Sequence, residues 1–200
     1  TNEIAAWKNL STPDKPFEGV FRGVEKVNDI ENIEKLRLGT TIATNAILQR
    51  KGAKVAYLTT KGFRDIPFIQ RGNRKAHYDM TWVKAKPLVK RRLCFEVNER
   101  VDSQGNILKV LEEEDLLSVA EKIKVSGEVD AIAINFLFSY INPSHELYAK
   151  EVLSRLLPNV PVSTSFEVLP KWKEYERAST TIADAYLKPI VRTNFKEIQN

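Results

Sequence analysis

Apolar and polar positions along the chain alternate between helical and strand periods, and their order predicts an α/β fold. Residues Ile4 to Leu10 read as an edge strand, followed by a turn at Ser11-Thr12-Pro13-Asp14. Phe17, Val20, Phe21 and Val24 lie at helical spacing and predict a helix from Pro16 to Val27. A short strand from Leu36 to Leu38 stops at Gly39-Thr40-Thr41. A helix from Ala43 to Lys51 follows, with Gly52 as its stop. Lys54 to Thr59 is a strand, closed by the turn Lys61-Gly62-Phe63. From Ile66 to Arg92 the periodicity is lost. Leu93, Phe95 and Val97 then alternate with polar positions as a half-buried strand, and beyond the turn Ser103 to Asn106 the stretch Ile107 to Leu111 is its expected hairpin partner. Glu112 to Val125 reads as a helix with acids in its first turn, where the helix dipole favours them.

The run Ala131 to Phe138 is almost continuously apolar, as a central parallel strand covered on both faces must be. Asn142-Pro143 opens a helix that runs to Leu157, with Tyr148, Val152 and Leu156 along one stripe. Val160 to Ser165 is another strand. A last helix begins near Lys171, and Pro189 is expected to end or kink it. The order β-α-β-insert-β-α-β-α implies a mainly parallel sheet. The expected division is an α/β lobe of residues 1–65 and 129–200, with residues 66–128 as an inserted basic α+β subdomain carrying the hairpin and a helix.

Composition narrows the function classes. The 200 residues are 42% hydrophobic and 28% charged, ordinary for a globular chain. No run of about 18 apolar residues encodes a membrane span. The lone Cys94 excludes an intrachain disulfide framework and a multi-thiolate zinc site. Thr1 to Leu10 has no signal-peptide pattern, so a cytoplasmic location is expected. The chain does not begin with Met, and a trimmed or excised piece is expected. The net charge is +5, yet the window Lys61 to Val101 alone carries +7, from eleven Lys or Arg against four acids. Such a region is either a solvated face or an attractor of phosphate, nucleic acid or an acidic partner. No two of the eight glycines lie within three positions of each other, so neither a dinucleotide fingerprint nor a Walker loop is present.

Three segments could carry chemistry. Gly39, Thr40, Thr41 and Asn45 join a strand end to a helix start, where ligands bind in open α/β sheets; helix capping by either threonine is the equal alternative. Arg64-Asp65, with Arg71, Asn73 and Arg74 beyond, offers guanidinium forks for a carboxylate or phosphate, or only surface ion pairs. Ser179, Thr180 and Thr181 are three consecutive hydroxyls inside a helix, serving a polar site or a buried structural network. His77 lies in the basic insert. His145 sits in a helix first turn, where a structural role is expected. No histidine pair has metal-ligand spacing, and no Ser/His/Asp set can be assembled.

Several strings, taken together and in order, resemble the hydantoinase A/5-oxoprolinase family. They are Lys8 to Pro13, Gly39 to Ala46, Arg50 to Ala53 with Thr59 to Asp65, and Asn98-Glu99-Arg100-Val101-Asp102. Ser139 to Glu146 follows, then Glu167 to Pro170 with Tyr175 to Thr181. The resemblance implies a lobe of an actin-like, ribonuclease H-like ATPase. It implies ATP and Mg²⁺ for the full-length parent, with neither evident in this chain. The implied chemistry is activation of a carbonyl oxygen by phosphorylation, for hydrolysis of a lactam or hydantoin or for ketone carboxylation. A small-molecule substrate, a hydantoinase B-type partner subunit or domain and a homo-oligomer are implied as well; membrane and nucleic acid are not expected partners. The family's Asp-x-Gly-Gly-Thr loop is missing, so an amino-terminal fragment that does not hydrolyse ATP alone is expected. Gly39, Thr40, Thr41, Asn45, Arg71, Asn73 and Arg74 are the expected substrate- or nucleotide-binding residues, with Ser179, Thr180 and Thr181 in support. No catalytic base is assigned. The rival is a non-catalytic module that binds nucleic acid or an acidic partner through the basic insert.

Overall fold

A computed structural model describes residues 4, 6–8, 18–26, 33, 35, 37, 39–73 and 78–199. Of the strand expected over Ile4 to Leu10, residues 4 and 6–8 are described and lie in no strand; Leu36 and Leu38 of the second expected strand lie outside the described residues, as do Arg74 and His77. The helices are α1 (Glu18–Val24), α2 (Ile42–Leu48), α3 (Ile66–Ile69), α4 (Glu113–Ser126), α5 (Ser144–Leu156), α6 (Ser165–Val168) and α7 (Glu174–Gln199). The strands are β1 (Val55–Thr60), β2 (Cys94–Val97), β3 (Arg100–Val101), β4 (Ile107–Lys109), β5 (Ala131–Asn135) and β6 (Val162–Thr164). None of the described helices is long and apolar enough to cross a membrane.

The expected mainly parallel α/β lobe is present. Its four-stranded sheet has the order β2-β1-β5-β6, and every pairing in it is parallel. All six residues of β1 and all five of β5 are buried, because helices cover both faces. In β5 the pleat sorts side chains by size. Leu58, Ile132 and Ile134 face α4 and α5, packing on Leu116, Val119, Val152 and Leu153. Ala131 and Ala133 face α7, packing with Ala178, Ile182 and Ala185. Small side chains on both partners let α7 lie close to the sheet.

The insert expected at residues 66–128 is not a separate packing unit. Cys94–Val97 is the edge strand of the main sheet, parallel to β1 with Tyr57 opposite Cys94. The hairpin partner of Ile107–Lys109 is the two-residue strand Arg100–Val101 instead. The physical reason is burial: Cys94 and Val97 are buried, whereas all three residues of β4 are exposed. Helix α4, placed in the same insert by its sequence, covers the main sheet.

Three element ends also differ from expectation. The strand from Ala131 stops at Asn135, because the Phe136 and Leu137 amides leave the ladder for the side chains of Glu146 and Thr60. Helix α2 ends before Gly52, with Arg50 in the left-handed region at φ 54°. Gly52 serves close approach instead: a Cβ there would overlap the Tyr186 ring. Helix α7 continues through Pro189. One turn earlier the Tyr186 carbonyl accepts a 3.0 Å bond from the Ala53 amide, so tertiary contacts hold the helix where proline removes a ladder bond.

Burial pushes the Cys94 thiol and the Tyr57 hydroxyl each up to about 12. Both folded values lie above the ordinary 9.0 and 10.0, so their contribution to stability is complete below those values and is lost as pH rises toward 12. Urea unfolding across this range should show stability falling by up to about 2.7 kcal/mol per pH unit once both groups titrate. Tyr57→Phe and Cys94→Ala should each flatten the slope; a slope unchanged in both variants contradicts the assignment.

Candidate functional site

The sheet order fixes where a crevice forms. After β1 the chain moves to β2 on one side, and after β5 it moves to β6 on the other. Helix α3, from the first connection, packs on α7, whereas α5, from the second, packs with α4. The carboxyl ends of β1 and β5, at Thr60 and Asn135, therefore flank a topological switch point, where open α/β sheets bind ligands.

Polar side chains gather at this end of the sheet in three hydrogen-bonded branches. The Glu146 carboxylate accepts the Phe136 amide at 2.8 Å, the Ser165 hydroxyl at 2.6 Å and the Phe166 amide at 2.9 Å. Ser139 and Ser165 hydroxyl oxygens are 3.0 Å apart, and Arg177 Nη1 donates to Ser139 at 2.8 Å. Each hydroxyl has one hydrogen. Since Ser165 donates to Glu146, Ser139 donates to Ser165, and the donor direction runs from Arg177 through both serines to Glu146. Arg177 and Glu146 are both fully buried and are joined by this relay. A second branch links Thr60, whose hydroxyl donates to Glu99, with His145 Nδ1 at 2.7 Å from the other Glu99 oxygen. On the α7 face, Asn135 Nδ2 donates to the Tyr57 hydroxyl at 3.2 Å. Among the described residues, the buried atoms without a partner are Asn135 Oδ1, His145 Nε2 and Arg177 Nε, all in these branches.

The electrostatics follow from burial. Desolvation raises the Glu146 carboxyl, opposed by its bonds from Ser165, Phe166 and Phe136. Desolvation lowers the Arg177 guanidinium, opposed chiefly by the nearby Glu146 charge. These residues were not among the expected site residues, although Thr60, Glu99, Ser139, His145, Glu146 and Arg177 lie in strings that carry the family resemblance, whereas Tyr57, Asn135 and Ser165 do not. A usable signal was present. Arg177 falls on the same stripe of α7 as Ala178, Thr181, Ile182 and Ala185, and Glu146 on the same stripe of α5 as Ala149 and Leu153. A charge on a buried stripe demands a buried partner.

The expected site residues lie elsewhere, in separate places. Thr40 Oγ1 accepts the Ile42 amide at 3.3 Å, and Asn45 Nδ2 donates to Thr41 Oγ1 at 3.3 Å, at the exposed entry to α2. A Cβ at Gly39 would meet open space. Arg71 pairs with Glu176 at 2.5 Å, while Asn73 is exposed. Helix α2 docks on α7 beside Tyr186 and Arg71 beside Glu176, stations roughly 15 Å apart along the helix. No bond joins the two groups among the described residues. The Ser179, Thr180 and Thr181 hydroxyls bond back to carbonyls of their own helix, at Glu176 and Arg177. Ser179 also lines a cavity of about 150 Å³ with Tyr175, Pro67 and Gln70.

Comparison with known proteins gives a family match over residues 1–157, to the hydantoinase/oxoprolinase N-terminal region. Caprolactamase subunit alpha of Pseudomonas jessenii is 37% identical over 199 residues, covering 94% of this chain and 28% of that protein. The acetophenone carboxylase gamma subunit of Aromatoleum aromaticum is 36% identical, covering 89% of this chain and 27% of that protein. The crystal structure of the ATP-dependent caprolactamase from Pseudomonas jessenii superposes with a TM-score of 0.86 at 30% identity, covering 98% of this chain and 30% of that one. The chain thus spans under a third of the length of these relatives.

The raised Glu146 carboxyl has a definite sign. Its contribution to stability is greatest below the ordinary value of 4.5 and is lost as pH rises through the folded value. Glu146→Gln should abolish that component, and its amide group, facing two backbone donors, should cost about 1–3 kcal/mol at pH 5. Urea unfolding of both proteins from pH 4 to 8 checks this: the gap should narrow as pH rises, and a widening gap contradicts it.

Proposed function

The chain belongs to the hydantoinase/oxoprolinase family, matching its N-terminal region, and we propose that it is part of an ATP-dependent enzyme that activates a cyclic amide carbonyl, in a lactam or hydantoin, by phosphorylation for hydrolysis. The observation that carries this reading is the likeness to the ATP-dependent caprolactamase along 98% of the chain. In such chemistry ATP supplies the phosphoryl group that turns the carbonyl oxygen into a leaving group.

The described residues alone offer no ready-made metal cage: among them no three His, Cys, Asp or Glu side chains are grouped to hold a metal ion. The Ile42 amide at the start of α2 is already bonded to Thr40. No step is therefore routed through the nucleotide here. What this chain offers is the exposed Gly39–Thr41 segment with Asn45 on the first turn of α2. Its Thr40 and Thr41 hydroxyls accept bonds from that turn and keep their own hydrogens to donate to a substrate carbonyl. A hydantoinase B-type partner subunit that completes the reaction, and self-association of the parent, are part of the same proposal.

A second reading, a ketone carboxylase subunit, is supported by the 36% identity to the acetophenone carboxylase gamma subunit, close to the 37% for caprolactamase. Part of the basic charge behind the non-catalytic reading is engaged within the chain. Arg71 is paired with Glu176, Arg91 with Asp65 and Arg92 with Glu128, while Lys84 holds the Ile69 carbonyl and Arg100 lies over Phe63.

The test uses the intact parent polypeptide with its partner subunit. ATP consumption should depend on a lactam, hydantoin or 5-oxoproline; dependence on a ketone and bicarbonate instead would establish the second reading. Thr40→Ala and Asn45→Ala should each lower kcat/KM about tenfold, the loss of one hydrogen bond. Unchanged kcat/KM in both removes these residues from the site.

A further inference from the structure

Phe138, in the loop that follows β5, sits at φ 54°. The left-handed region is disfavoured for any L side chain other than Asn or Asp. Such a conformation persists where its surroundings over-determine it, and these positions gather at ligand-contacting sites. The surroundings of Phe138 are of this kind. Arg177 Nη2 donates to the Phe136 carbonyl at 2.7 Å, and Nη1 donates to the Ser139 hydroxyl at 2.8 Å. One guanidinium thus grips the chain on both sides of Phe138. Its plane also lies over the Tyr140 ring, 5.2 Å from the centroid. The Phe136 amide is held by Glu146 and the Leu137 amide by Thr60. The Phe138 carbonyl accepts the Ile141 and Asn142 amides at 2.9 and 3.1 Å. The Phe138 and Tyr140 rings, 6.2 Å apart and both half-buried, present aromatic surface there.

The same loop begins at the carboxyl end of β5, on the edge of the switch point. We propose that Arg177 is a positioning residue: its fork fixes residues 136–140 in a strained conformation preorganised to contact the substrate at the crevice between β1 and β5. This rests on the cyclic amide reading given under Proposed function. The geometry explains why arginine occupies the position. A lysine carries the same charge but cannot bond two acceptors in a plane and cover a ring at once.

The test compares Arg177→Lys with the unchanged intact polypeptide by hydrogen exchange and by ATP-dependent turnover of the lactam panel. Exchange at the amides of residues 137–142 should accelerate at least about tenfold, with β1 and α4 within about twofold of the parent. In an active enzyme kcat should fall about tenfold, as lost preorganisation requires. Ser139→Ala, which removes one of the two bonds, should give the same pattern more weakly and serves where Arg177→Lys does not fold. Phe138→Asn tolerates the left-handed region and should recover part of the lost protection in the Arg177→Lys background. Exchange that rises evenly over the whole sheet, or does not rise in the loop, overturns the clamp. A loosened loop with kcat unchanged overturns its role in positioning. If the unchanged polypeptide turns over no cyclic amide, the functional reading fails by itself, and loop exchange still decides the clamp.

Discussion

Two opposite charges, on Arg177 and Glu146, are buried at one end of the sheet and meet through two serine hydroxyls. Burying either alone would cost several kcal/mol, so each requires the other and the bridge between them. The bridge recruits α5, the β5–α5 loop, the start of α6 and the first turns of α7. Once these charges are placed, the four segments at the carboxyl end of the sheet have little freedom left. The switch point is consequently lined by a rigid polar wall.

The way the sheet packs makes that wall possible. Alanines at 131, 133, 178 and 185 let α7 approach the sheet closely, and Gly52 admits the Tyr186 ring farther along the same helix. Close approach carries the Arg177 guanidinium past Tyr57 to the Phe136 carbonyl. The opposite face uses Leu, Ile and Val against α4 and α5, and among the described residues it forms the larger of the two buried apolar clusters. One face of the sheet is thus organised around apolar mass, and the other around the precise delivery of a charge.

Much of this architecture was legible in the sequence, and the reasons for the rest are physical. The apolar runs at Val55 and Ala131 are unambiguous, because a parallel strand covered on both faces has no polar period. Cys94–Val97 was harder: its alternation suits a hairpin as well as an edge strand, and only the burial of Cys94 and Val97 against β1 decides between them. Pro189 was overread, since one missing ladder bond is outweighed by docking against Ala53 and Gly52. The polar wall was hidden for another reason. Glu99, the Ser139–Glu146 segment and Arg177 are far apart in sequence, and spacing rules see only residues that share an element. The family strings held all four residues, but a string does not state which of its members face one another.

The central claim is that the Arg177 and Glu146 charges are energetically coupled through the serine bridge. A double-mutant cycle with Arg177→Met and Glu146→Gln, read by urea unfolding of the intact polypeptide at pH 7, measures that coupling directly. The account predicts a coupling energy of about 2 kcal/mol or more, with the double variant less damaged than the sum of the single ones. Additivity within about 0.5 kcal/mol would contradict it.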